Sequence, residues 1–119
     1  MKTQDIANRL YELCQKGQFD IAQKELFAND AVSIEPYDTP DFPRETKGLD
    51  AILEKGKKFD SLVTVNALHV EQPIVVDNAI AMKLQLDSTM KNDGKRSNMG
   101  ELCVYEVKDG KIASERFYV

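Results

Sequence analysis

Residues 80–119 read IAMKLQLDSTMKNDGKRSNMGELCVYEVKDGKIASERFYV, and their pattern decides the fold. Ile80, Met82, Leu84, Leu86, Ser88 and Met90 alternate with Ala81, Lys83, Gln85, Asp87, Thr89 and Lys91, the period of a half-buried antiparallel strand. Asn92-Asp93-Gly94-Lys95 and Asp109-Gly110 are hairpin turn signals, so two further strands are expected at about 97–108 and 111–119. Just upstream, residues 63–72 are β-branched and half-alternating, and Pro73 punctuates them. The second half of the chain is therefore a run of antiparallel strands.

The first half has the other period. Ile6, Leu10, Leu13 and Cys14 fall on one helix face, with Thr3 as the expected N-cap, Asp5 at the positive end and Gly17 as the stop. A second helix is expected over 18–28 on Phe19, Ala22 and Leu26. A short extended segment follows at 31–35. Pro36, Pro40 and Pro43 then mark residues 36–47 as a long loop of the kind that often serves as a lid or binding loop. A third helix carries Leu49, Ile52, Leu53, Gly56, Phe59 and Val63 as its apolar stripe. Lys55, Lys57 and Lys58 are read as lying mostly off that stripe, on a solvated face. About three N-terminal helices followed by strands predict an α+β fold, its helices packed on one face of a curved, mostly antiparallel sheet. The 119 residues suit a single domain.

Composition excludes several functions. A net charge of −4 argues against nucleic acid, which demands a basic face. One histidine, His69, and two distant cysteines, Cys14 and Cys103, give no metal-ligand spacing and suggest reduced thiols in a cytoplasmic protein. No apolar run is long enough to span a membrane, and residues 1–5 have no signal-peptide character, so no membrane association is expected. No phosphate-binding or dinucleotide glycine pattern occurs, so no cofactor is expected. His69, between Leu68 and Val70, is expected to face outward.

Three stretches carry a family likeness: Asp30-Ala31-Val32-Ser33-Ile34-Glu35-Pro36, Gly48-Leu49-Asp50-Ala51-Ile52 and Val107-Lys108-Asp109-Gly110-Lys111-Ile112. In this order and spacing the chain resembles the SnoaL-like polyketide cyclase branch of the nuclear transport factor 2-like superfamily, over nearly its whole length. The resemblance implies a cone, with helices closing over a curved sheet and a pocket inside. It also implies a range of activities, from cyclase and isomerase to plain binding, so the fold alone does not fix the function.

The resemblance to ketosteroid isomerases places Glu35, just before Pro36, where those enzymes hold a carboxylate base. Their partner residues are not matched: Leu10 stands where a tyrosine is expected, Tyr11 is about 100° away around the helix, and Cys103 replaces the late-strand acid. SnoaL-type cyclases carry an aspartate after a terminal aromatic, whereas this sequence reads Phe117-Tyr118-Val119.

The same likeness turns Glu101, Cys103, Tyr105 and Val107 into the cone, leaving Leu102 and Val104 outside, where they are expected to support a homodimer. Two registers are open for the last hairpin. A three-residue loop, 108–110, pairs Cys103 with Glu115 and Glu101 with Phe117, making Glu101 and Glu115 diagonal neighbours that cannot both ionise cheaply. A two-residue Asp109-Gly110 turn pairs Cys103 with Arg116 instead. The usual hairpin of the family favours the first. The candidate catalytic residues are thus Glu35, Glu101 and Glu115. Tyr11, Cys103, Tyr105, Phe117, Met82 and Leu84 are candidate ligand contacts, and the expected partner is a small hydrophobic or carbonyl-bearing molecule.

Overall fold

The computed structural model describes residues 1–119. Its elements are α1 (Thr3–Gln15), α2 (Phe19–Leu26), β1 (Phe27–Ile34), β2 (Glu45–Lys47), α3 (Leu49–Leu62), β3 (Val63–Val70), β4 (Ile74–Val76), β5 (Ala79–Met90), β6 (Arg96–Lys108) and β7 (Lys111–Tyr118). Three helices pack on one face of a curved, unclosed sheet of order β2-β1-β7-β6-β5-β3, with β4 paired beside β5. Every pairing is antiparallel except β1 with β7. This is the α+β architecture expected from the sequence. No helix is long and apolar enough to cross a membrane.

α1 buries Ile6, Ala7, Leu10, Leu13 and Cys14, the face its periodicity marks. It stops at Gly17, whose φ of +71° favours glycine, while the Gln18 and Gly17 amides donate to the carbonyls of Leu13 and Cys14. Thr3 is not the cap: it is already helical, and Lys2 holds the extended N-cap position without a side-chain bond. The second helix is shorter than expected. Phe27 turns extended and is buried, so β1 starts before Asn29-Asp30 rather than after them. The 36–47 loop also ends in structure, because β2 pairs Lys47 with Val32 and Glu45 with Ile34.

The last hairpin follows neither expected register throughout. At its tip Lys108 pairs with Lys111 and Val107 with Ile112, across an Asp109-Gly110 turn in which both residues have positive φ. One step up, Glu106 pairs with Ser114, leaving Ala113 as a bulge, and Tyr105 then pairs with Glu115 and Cys103 with Phe117. The bulge flips the side-chain phase, so Ile112, Glu115 and Phe117 share the concave side despite their odd spacing. Glu101 and Glu115 are therefore not diagonal neighbours, since the Cys103–Phe117 pair lies between them.

The floor of the concavity is packed. Ile80, Met82, Leu84, Cys103, Tyr105, Phe27 and Ile112 are buried there, with Phe27 edge-on to Tyr105. His69 faces outward and Val70 is buried, as the pattern implies, while Leu68 is half-buried.

Candidate functional site

β1 delivers the first two polar residues. Ala31 and Ser33 lie on the strand's concave side, and Glu35 continues that alternation just past its end. Parallel pairing sets Ser33 against Glu115 of β7. Gly48 positions the third. Its amide donates to the Ala31 carbonyl at 2.8 Å, and its φ of +91° lets α3 start beside β1. Lys55 follows seven residues later, two turns along and on the same side, so its ammonium reaches β1.

The contacts form a chain. Lys55 Nζ donates to Ser33 Oγ at 2.6 Å, and Ser33 Oγ donates to Glu115 Oε1 at 2.8 Å. Glu35 Oε2 lies 3.8 Å from Lys55 Nζ, an ion pair beyond hydrogen-bond reach, and this buried oxygen has no hydrogen-bond partner in the protein. The Phe117 ring lies 5.5 Å from Nζ. The Lys55 side chain is only 16% exposed, so the solvated reading of that lysine is corrected; Lys57 and Lys58 are exposed as expected.

Burial governs the ionisation of these groups. Glu115, 4% exposed, is raised from 4.5 to about 7 by desolvation, against which the Ser33 bond and the Lys55 charge pull down while Glu35 and Glu101 push up. Glu101 is raised by burial first and by Glu35 second, with the Cys103 thiol and Lys55 opposing. Cys103 Sγ donates to Glu101 Oε1 at 3.7 Å. The Cys103 thiol is itself pushed far up, by burial and then by Glu101 and Glu115, and Tyr105 is raised chiefly by burial. Neither is disposed to ionise.

A recess of about 140 Å³ opens beside Glu35 and Glu101, walled by Pro36, Tyr37, Thr39, Phe42 and Val119. A second, of about 360 Å³, includes Lys55, Lys58, Phe42, Thr46 and Asp41 among its walls. The loop between β1 and β2 contributes to both, with Phe42 lining each. It is pinned where the Glu35 amide donates to the Arg44 carbonyl at 2.6 Å and where Lys58 Nζ donates to the Asp41 carbonyl.

Of the residues singled out from sequence, Glu35, Glu101, Glu115 and Phe117 gather at this mouth. Met82, Leu84, Cys103 and Tyr105 belong to the packed floor, and Tyr11 packs half-buried against that core from α1. Ser33 and Lys55 were missed. Ser33 could have been found from its alternation with Ala31 and Glu35. Lys55 stands three residues after Ile52 and four before Phe59, on the apolar stripe itself.

A family model described as a SnoaL-like domain matches residues 1–119. A candidate SnoaL-like polyketide cyclase from Mesorhizobium loti is 32% identical over the full length of both chains, with a TM-score of 0.94. A candidate isomerase from Bacillus subtilis shares 21% identity over 99% of this chain and 88% of its own, at a TM-score of 0.75. A Catenulispora acidiphila protein with a ketosteroid isomerase-like fold, in complex with trimethylamine, covers 96% of this chain and 84% of its own at 11% identity and a TM-score of 0.73. No curated protein matches the sequence.

Proposed function

The chain belongs to the SnoaL-like domain family, and from that premise we propose that it binds a small carbonyl-bearing organic molecule at the mouth of the sheet and moves a proton on it without a cofactor. The observation that carries this reading is Glu35 Oε2, buried, without a hydrogen-bond partner and 3.8 Å from an ammonium. An unsatisfied buried carboxylate oxygen is costly unless a ligand completes it. Glu35 takes a proton from the carbon next to the carbonyl, and Lys55, which can only donate, holds the oxygen as negative charge develops. The 140 Å³ recess is below the roughly 300–1,000 Å³ of sites for drug-sized ligands, so the bound part is a fragment of few heavy atoms.

Exchange of α-hydrogens for deuterium, followed by NMR on a panel of short ketones and aldehydes, tests this. Glu35→Gln lowers the catalysed exchange about 100-fold or more. Equal exchange in both proteins removes Glu35 from the chemistry, and background-level exchange from the wild type removes proton transfer altogether.

The convex face supports a second copy of the chain. Leu102 is 41% exposed beside its pair Tyr118, and Ile74, 69% exposed, pairs with Ala81, itself opposite Val104. Lys83, opposite Leu102, and Arg116, opposite Val104, lie among these apolar side chains on the same face, and a symmetric dimer covers them. Light scattering gives the dimer mass for the wild type and a lower mass for Leu102→Glu. A wild-type monomer at high concentration ends this reading.

A further inference from the structure

From the Lys55–Ser33–Glu115 chain we infer that Lys55 is an amine nucleophile that forms an imine with the carbonyl of a small aldehyde or ketone. This deepens the reading above, in which Lys55 acts only as a charged donor, and rests on the same site.

Three features carry it. First, Lys55 Nζ is in an unbroken hydrogen-bonded path to a buried acid, 2.6 Å to Ser33 Oγ and 2.8 Å on to Glu115. A proton passed along that path turns an ammonium and a carboxylate into an amine and a carboxylic acid. The raised value of Glu115, about 7, makes it a competent resting place for that proton near neutral pH. Second, Lys55 lines the 360 Å³ recess, which shares Phe42 with the recess beside Glu35. Third, the orphaned Glu35 oxygen lies 3.8 Å from the same nitrogen, where carbinolamine chemistry needs a base.

The protons balance. Lys55 gives one to Ser33 as Ser33 gives its own to Glu115, leaving a neutral amine. The nitrogen lone pair then attacks the carbonyl carbon. A C–N bond forms, the C=O π electrons move to oxygen, and Glu35 carries one proton from nitrogen to that oxygen. When the C–O bond breaks, the hydroxyl leaves as water with the proton Glu115 returns through Ser33, and the nitrogen lone pair closes the C=N bond. The products are a protonated imine, water and both carboxylates as they began. The imine then draws electrons from the adjacent C–H, which Glu35 is placed to deprotonate.

The test is reductive trapping. The full chain is incubated with butanal, reduced with sodium borohydride, and the alkylated lysines are mapped by peptide mass spectrometry. Lys55 is expected to be modified about tenfold faster than exposed Lys57 and Lys58, and Glu115→Gln is expected to erase that preference. Lys55→Arg separates the two readings, since it keeps the charge and cannot form an imine; thermal unfolding checks that it folds. Loss of deuterium exchange in this variant, with preferential trapping in the wild type, supports the amine. Retained exchange in Lys55→Arg, or equal trapping at all three lysines, overturns the imine and leaves proton transfer by Glu35 standing. Preferential trapping with exchange unaffected by Glu35→Gln removes the base instead.

Discussion

The floor and the mouth of the concave face are built from the same strands yet obey different energetics. Along β6 the change takes two inward steps, from Tyr105 through Cys103 to Glu101; along β7 it runs from Ile112 to Glu115. Burial does not distinguish them, because Tyr105 and Glu115 are each 4% exposed. The floor is held by shape, with side chains filling one another's gaps. At the mouth charge decides: one lysine stands among three carboxyl groups, and the deepest of these is pushed toward its neutral form. A charged region lies beside an apolar one, and each should answer to a different kind of substitution.

The floor is broken by removing volume. Phe27 is buried, with its ring centroid 6.5 Å from that of Tyr105 at an interplanar angle of 71°. Phe27→Ala deletes a ring that its neighbours cannot replace and lowers stability by about 3–5 kcal/mol in urea unfolding at pH 7. The loss should be nearly the same at pH 5, because the neighbouring Tyr105, raised by burial, stays neutral at both pH values. A cost below about 1 kcal/mol would mean that the floor closes over the gap, and the contrast with the mouth would fail.

The floor was also the more legible of the two in sequence. Period-two alternation places Ile80, Met82 and Leu84 inside without knowledge of any partner strand, and period 3.6 does the same for Ile6, Leu10 and Leu13. The mouth depends on contacts between distant elements, for which local pattern is a weaker guide. Glu35 is legible through a family likeness, whereas Lys55 reads as solvated because lysines on a helix usually are. Its position between Ile52 and Phe59 was the available signal, but only the docking of α3 on β1 makes it decisive. The β7 bulge was hidden for a similar reason. Turn chemistry marks Asp109-Gly110 but leaves two registers open, and the tip takes the less favoured two-residue turn; the phase of Glu115 and Phe117 is set by Ala113 three residues beyond Gly110, where no glycine or proline marks the irregularity.

The mouth is probed by removing charge at constant shape. Glu115→Gln keeps an oxygen to accept from Ser33 and abolishes the titration. In the wild type the folded protein holds this proton up to about pH 7, whereas an unfolded glutamate releases it near 4.5. Between those values the native state binds more protons than the unfolded state, so stability falls as pH rises. The full contribution is present below the unfolded value and is gone above the folded one. A rise from 4.5 to about 7, at ~1.4 kcal/mol per pH unit, is about 3 kcal/mol. Urea unfolding of both proteins across this range should therefore show the variant gaining on the wild type by about 3 kcal/mol from pH 4.5 to 7, then keeping a constant lead. Phe27→Ala should leave the slope untouched. A variant that lost ground as pH rose would mean that Glu115 is held as a carboxylate by Lys55 and Ser33, so that the mouth is a structural ion pair.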